Sequence, residues 1–232
     1  MNSKLINTKI EKTPLVSILM NCFNGEKFLR EAIDSVIGQT YTHWELIFWD
    51  NQSTDGSASI VNSYSDQRIR YYYAPTHTLL YEARNYAFEK TSGELIAFLD
   101  VDDSWDSEKL QRQVPVFLDP KVGFSASNYW IDQQLKDKRF LAHKKSMPSG
   151  KVLDALLRYY YVGLLTLIVR RSALPHDQLP FRPIFHIIGD YDLVTRLAVV
   201  WDLAYVNNPL AVYRIHGGNE SIRKRKLLVV EL

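Results

Sequence analysis

The chain has 232 residues, 46% of them hydrophobic and 23% charged, which is enough apolar material for a full core, so the chain need not be disordered. A net charge of +2 argues against a dedicated nucleic-acid binder, and the single cysteine, Cys22, excludes a disulfide framework or a multi-cysteine zinc site. Aromatic residues reach 12%, a content that suits a core, base stacking or sugar contact alike.

Residues 1–13 are polar and charged, lack a hydrophobic signal core, and read as an N-terminal extension. From Pro14 the pattern alternates strand and helix. Residues 16–20 are an apolar run of strand length, followed by Gly25 and a helical stripe of Phe28, Leu29, Ala32, Ile33, Val36 and Ile37. Residues 45–49 form a second strand, and Ser53, Thr54, Asp55 and Gly56 open a second helix with capping residues. A third strand at 69–73, a helix at 79–90 and a fourth strand at 94–99 follow. This β-α-β-α-β-α-β order predicts an α/β protein with a mostly parallel, doubly wound sheet.

The second half is less regular. Strands at 122–130 and 164–169 are separated by a basic polar stretch at 136–145. An amphipathic helix over 190–201 and two short strands, 204–206 and 210–215, complete it. With no repeat and no linker, residues 14–222 read as one domain. The tail, 223–232, sets Arg223, Lys224, Arg225 and Lys226 before Leu227, Leu228, Val229 and Val230. It reads either as a solvated end or as a peripheral contact with an anionic membrane. No segment approaches the ~18 to 20 apolar residues of a membrane span, so a cytoplasmic protein, peripheral at the inner membrane face if the tail binds there, is the expectation.

Open α/β sheets bind ligands at the carboxyl ends of their strands. The first strand is followed by Asn21, Phe23 and Asn24, the second by Asp50, Asn51 and Gln52, and the fourth by Asp100, Val101, Asp102 and Asp103. Three carboxylates within four residues repel one another unless a cation or another partner is present. Oxygen ligands at a strand end suit Mg²⁺ or Mn²⁺. The same acids also suit the N-terminus of a helix carrying Leu110 and Val114. Neither GxxxxGK[ST] nor GxGxxG is present. A diphosphate would then be held by metal and side chains, with Arg84 as a partner for phosphate or ribose unless it is an ordinary surface ion-pair residue.

The ordered set of motifs resembles the family-2 glycosyltransferases. It starts with Pro14 to Ile18, Asn24-Gly25-Glu26, Ala32 to Val36 and Gln39-Thr40-Tyr41, and continues through Asp50 to Ser57, Ala83-Arg84-Asn85, Gly93-Glu94 and Phe98 to Asp103. Gly189 to Leu193, Arg196-Leu197-Ala198 and Tyr213 to Asn219 complete it, so the resemblance covers about residues 14–222. It implies a GT-A type fold with a nucleotide-binding half, about 14–103, and a smaller mixed acceptor-side lobe, about 104–222. It also implies an inverting, metal-dependent transferase that uses Mn²⁺ or Mg²⁺ and a UDP-, dTDP- or GDP-linked donor. The acceptor would be a saccharide or a lipid-linked glycan, in cell-surface polysaccharide or lipopolysaccharide synthesis.

By the same resemblance, Asn21, Phe23 and Asn51 hold the base, with Phe23 stacking on it. Asp100 faces the ribose or sugar, Asp102 coordinates the metal, and Arg84 meets the phosphates. Asp190 is the general base, its alternative being a helix N-cap, and His216 closes over the diphosphate or adds a metal ligand. Three positions depart from the family pattern. Asn51 stands where a second aspartate is usual, His77-Thr78-Leu79 replaces Asn-x-Gly before Ala83, and Gly189 stands where glutamate often precedes the base.

Other residues read as ordinary. His77, His143 and His186 lack ligand spacing, and Tyr159, Tyr160 and Tyr161 read as lobe packing ahead of an acceptor platform. Cys22 reads as a small buried hydrophobe, and Trp105 as either acceptor lining or helix packing. The rival function is a non-catalytic nucleotide-sugar-binding module in a larger assembly, which would have no need for both Asp102 and Asp190. A sugar-phosphate nucleotidyltransferase would want a glycine-rich signature where residues 21–25 have none.

Overall fold

A computed structural model describes residues 13–174, 179–219 and 231. The extension 1–12 and the basic run of the tail lie outside the described residues. The first half follows the expected alternation: β1 (Val16–Cys22), α1 (Glu26–Ile37), β2 (Trp44–Asp50), α2 (Ser57–Asn62), β3 (Ile69–Tyr73), α3 (Leu80–Glu89) and β4 (Leu95–Phe98). These strands are mutually parallel in the order β3-β2-β1-β4.

Side-chain alternation explains why helices cover both faces. Ile18 and Met20, Leu46 and Phe48, and Leu95 and Ala97 all point to one cluster with Leu29, Ile33 and Val36 of α1. Leu19, Ile47, Trp49, Ile96 and Phe98 point to the other, with Ala83 and Ala87 of α3. Strands buried on both faces read as continuous apolar runs, and each fully buried Ile, Leu or Phe is worth about 1.5–3 kcal/mol.

The second half departs from expectation in three places. The two late strands are one, β9 (Asp202–Ile215), which pairs in parallel with β6 (Val122–Gln133); Asn207 and Asn208 break the apolar pattern and fall at a register shift, after which pairing resumes at Pro209. Residues 164–166 form a 3₁₀ turn, and the following strand, β8 (Ile168–Arg170), lies antiparallel between β4 and β6. The acidic cluster is followed by a two-residue strand, β5 (Ser104–Trp105), paired with β9. α4 (Lys109–Gln113) starts only after it, so the acids do not cap that helix. A short strand, β7 (Lys138–Leu141), folds back on β6, and α5 (Leu153–Arg158) and α6 (Gly189–Val200) complete the described elements. The architecture is α/β with a mixed sheet in the order β3-β2-β1-β4-β8-β6-β9-β5.

Trp105 is a packing residue: it is buried, and its Nε1–H donates to the Leu165 carbonyl. Beside it Lys109 is fully buried, donating to Gln113 Oε1 and to the Thr166 carbonyl, and its Nζ lies 4.6 Å from the Trp105 ring centroid. Burial holds the pKa of this amine well below the ordinary lysine value. The unfolded chain therefore binds the proton more readily than the native one, and stability rises with pH up to the unfolded lysine value of about 10.4. Urea unfolding between pH 7 and 9 should show this rise in the wild type and a smaller one in Lys109→Met. Equal slopes in the two proteins would show that the buried amine does not titrate in that window.

Candidate active site

The carboxyl ends of β1, β2 and β4 open into a cleft of about 1000 Å³. Every residue expected to take part lines it: Asn21, Phe23, Asn51, Arg84, Asp100, Asp102, Asp190 and His216. Two tight turns shape its floor. Asn24 (φ 54°) and Gln52 (φ 69°) take left-handed conformations just after β1 and β2. The Asn24 carboxamide accepts the Thr54 N–H at 2.8 Å, and Ser53 Oγ accepts the Asn24 N–H at 3.0 Å. The starts of α1 and α2 are laced together as well. The Glu26 N–H donates to Asp55 and the Gly56 N–H to Glu26, at 3.0 and 2.6 Å, each carboxylate serving the other helix's free donors.

At one end of the cleft Phe23 is 53% exposed, with its ring centroid 4.4 Å from that of His77. Asn21 Nδ2 nearby is a buried donor without a partner among the described residues, which is where a ligand acceptor is needed. Asn51 is engaged: it donates to the Thr78 carbonyl at 2.8 Å and accepts the Thr78 N–H at 3.1 Å. Its amide therefore fixes the 77–79 loop, with one Nδ2 hydrogen engaged there. His77 Nδ1 lies 2.8 Å from the Asn51 carbonyl, so the unusual His77-Thr78-Leu79 segment forms this wall, and His77 is a cleft residue. Asp50 turns inward, accepting from Ser53 N–H and Tyr71 Oη at 2.7 and 2.8 Å.

The acidic cluster occupies the centre. Arg84 is 4% exposed, and its Nη2 donates to both Asp100 oxygens at 2.6 and 2.9 Å, so it is not a surface ion-pair residue. Asp102 Oδ2 lies 3.0 Å from His216 Nε2 and accepts Asn219 Nδ2–H at 3.1 Å. Burial and then the Asp100 charge raise the Asp102 pKa, against the opposing pull of His216. Asp103 is fully enclosed, and burial followed by the Asp102 and Asp100 charges drives its pKa well up. It accepts the Arg214 backbone N–H at 2.9 Å.

Gly218 N–H points at His216 Nδ1 at 3.1 Å, which leaves the ring proton on Nε2, facing Asp102. Two ligands about 2.1 Å from an octahedral ion, at right angles, stand about 3.0 Å apart. The Asp102–His216 separation of 3.0 Å suits such a pair if the ring proton sits on Nδ1 instead, which requires the Gly218 N–H to turn away. Among the described residues no group of three or more His, Cys, Asp or Glu is arranged to hold a metal. A protein donor set this small fits an ion that takes its other ligands from phosphate and water.

Asp190 sits in the first turn of α6, beyond the cap position occupied by Ile188, so it is not the N-cap. Burial raises its pKa, partly offset by the Tyr191 N–H and the Arg84 charge. Tyr160 shares this corner, its phenol pKa pushed well up by burial and then by Asp190. Tyr160 and Tyr161 line the cleft, while Tyr159 is 58% exposed. A Cβ at Gly189 would meet the Tyr81 ring at 2.7 Å, so the glutamate that the family often carries there has no room. His186 reaches the cleft rim, and His143 is buried, with Nε2 3.0 Å from the Tyr161 carbonyl. Cys22 is buried, as expected.

One contact had no sequence signal. The Glu231 carboxylate accepts the backbone N–H groups of His186, Ile187 and Ile188 at 2.8, 3.0 and 3.2 Å, just before the helix that carries Asp190. Burial alone would raise its pKa, but these three donors outweigh that and lower it. Its hold on the loop is therefore present above the ordinary glutamate value and is lost as pH falls through the depressed native value. Glu231→Ala should speed amide hydrogen exchange at 186–188 by about tenfold or more. Unchanged exchange would mean that the loop is held by something else.

The sequence profile described as "Glycosyl transferase family 2" matches residues 17–173. The chain is 32% identical over 218 residues to the putative teichuronic acid biosynthesis glycosyltransferase TuaG of Bacillus subtilis, covering 92% of this chain and 84% of that protein. It is 30% identical over 218 residues to the Escherichia coli UDP-Glc:alpha-D-GlcNAc-diphosphoundecaprenol beta-1,3-glucosyltransferase WfaP, covering 93% of this chain and 83% of that one. In fold it is similar to the mannosyltransferase PcManGT from Pyrobaculum calidifontis, solved with GDP-Man and Mn²⁺. That likeness has a TM-score of 0.71 and 18% identity, and covers 93% of this chain and 61% of that one. S. aureus TarS 1-349 is similar at a TM-score of 0.70 and 18% identity, covering 86% and 60%. The chain belongs to glycosyl transferase family 2.

Proposed function

We propose that this protein transfers a sugar from a nucleoside-diphosphate sugar to an acceptor hydroxyl, with inversion, in the assembly of a cell-surface polysaccharide. The observation that carries this reading is one cleft lined by the Asp102–His216 pair, the Arg84–Asp100 ion pair and Asp190. Asp190 takes the proton of the acceptor hydroxyl as that oxygen bonds to the anomeric carbon, while the bond from that carbon to the leaving phosphate oxygen breaks. Arg84 offsets the negative charge that gathers on the departing nucleoside diphosphate. Phe23, with His77 behind it, offers its exposed face to the base, and Asn21 Nδ2 supplies a donor.

Asp102 and His216 are the residues that would hold Mn²⁺ or Mg²⁺, which supplies Lewis-acid neutralisation of the diphosphate when bound. Relatives are named for a UDP-Glc donor and a diphosphoundecaprenol-linked acceptor, which supports a UDP-sugar and a lipid-linked acceptor here. No helix among the described residues is long and apolar enough to cross a membrane. We infer that the protein meets such an acceptor from the cytoplasmic surface of a membrane.

Asp190→Asn should lower turnover by about 10²–10⁴-fold with the Kd for donor unchanged. Retained turnover would remove Asp190 as base. Because burial raises the Asp190 pKa, wild-type kcat should fall on the acid side through a value above the ordinary aspartate range, and the variant should lack that limb. Phe23→Ala should weaken UDP binding by about 5- to 150-fold in calorimetry; equal affinity would place the base elsewhere.

A further inference from the structure

Apart from the basic run 223–226, the basic charge of this chain is densest on one hairpin. Residues 134–145 hold Lys136, Lys138, Arg139, Lys144 and Lys145 against a single acid, Asp137. The whole chain has 28 basic and 26 acidic residues, so the remainder has 23 against 25 and is net acidic. All five basic side chains are exposed. The hairpin turns at Asp137, in a left-handed conformation at φ 48°. At the same tip two apolar side chains face solvent, Leu135 at 81% exposure and Phe140 at 40%. Behind them the Arg139 guanidinium lies 5.2 Å from the Trp130 ring centroid.

The direction of the strands fixes where this tip lies. β8 is antiparallel to both β4 and β6, so β6 runs the same way as β4 and ends at the edge of the sheet that bears the cleft. Tyr129 lines the cleft, and four further residues of β6, about 13 Å of strand, lead to the hairpin. Gln133 pairs with Ile215, immediately before His216.

We propose that the β6–β7 hairpin docks this protein on an anionic lipid bilayer. Its basic residues meet the headgroups, and Leu135 and Phe140 enter the headgroup–acyl boundary. A nucleic acid or a soluble acidic protein would account for the charge but not for two apolar side chains set at the tip among lysines. Docking in this way turns the cleft edge toward the bilayer. That consequence, unlike the binding itself, rests on the reading of the site as one that takes a lipid-linked acceptor.

The test is co-sedimentation of the full chain with phosphatidylglycerol-containing vesicles and with pure phosphatidylcholine vesicles. The wild type should bind the anionic vesicles. Both Leu135→Ser/Phe140→Ser and Lys136→Glu/Lys138→Glu/Arg139→Glu should lower partitioning by about tenfold or more. UDP binding, unchanged in both, reports that the fold is intact and separates failure of this proposal from failure of the transferase reading. Leu135→Cys carrying an environment-sensitive fluorophore should shift to the blue on anionic vesicles, since Cys22 is buried and unlabelled. Wild-type binding by the Leu135/Phe140 variant would show that no apolar side chain of the hairpin enters the bilayer and overturn the proposal. So would loss of binding on changing Arg223, Lys224, Arg225 and Lys226 to Ser while both hairpin variants still bind, or a fluorophore that does not shift.

Discussion

Three carboxylates converge at the end of one buried strand, and the rest of the site is arranged around the cost of holding them together. Each acid is met by a group from a different part of the chain. Asp100 has Arg84 from α3, Asp102 has His216 and Asn219 from beyond β9, and Asp103 has the Arg214 backbone within β9. The supports are themselves supported. The Arg214 side chain pairs with Glu31 of α1 at 2.6 Å, and Asn219 Nδ2 also donates to the Arg214 carbonyl at 2.9 Å. Burial raises the pKa of both Asp102 and Asp103, so the cluster favours any positive charge brought to it.

The mixed sheet makes this convergence possible. Four parallel strands place Asn21, Asn51 and Asp100 on one edge, as open α/β sheets do. β8 then reverses direction once and β6 reverses it again, which brings Tyr129 and the end of β9 to the same edge. α6 reaches the cleft from the other core layer, and its close approach to Tyr81 requires Gly189. The hairpin that extends β6 therefore projects from the cleft edge because of strand direction alone.

The first half of the chain was legible because its strands are buried on both faces and its helices carry apolar stripes, so periodicity and burial agree. The residues that line the cleft were legible too, since Asn21 closes β1 and Asp100 and Asp102 follow the end of β4. Less was visible where contacts span long sequence distances. The single strand β9 looked like two because Asn207 and Asn208 interrupt its apolar run, although its partner β6 keeps the ladder with irregular register. His77 looked ordinary, having no ligand spacing, yet the Asn51 amide holds its loop against Phe23.

The sequence alone determined the fold class and the strand-end acids, because these follow from local pattern and from the burial of whole strands. Tertiary structure alone decided which partner each acid takes, how the Asn51 amide holds the 77–79 loop, and why position 189 is glycine. It also joined Glu231 to the loop before α6, across 45 residues of sequence from His186. Those outcomes depend on hydrogen-bond partners and steric contacts that no local pattern records. The same holds for the near-neutral charge read at the outset. A net of +2 is an average over an acidic body, a basic hairpin and the basic run 223–226, and only the direction of β6 puts that hairpin beside the cleft.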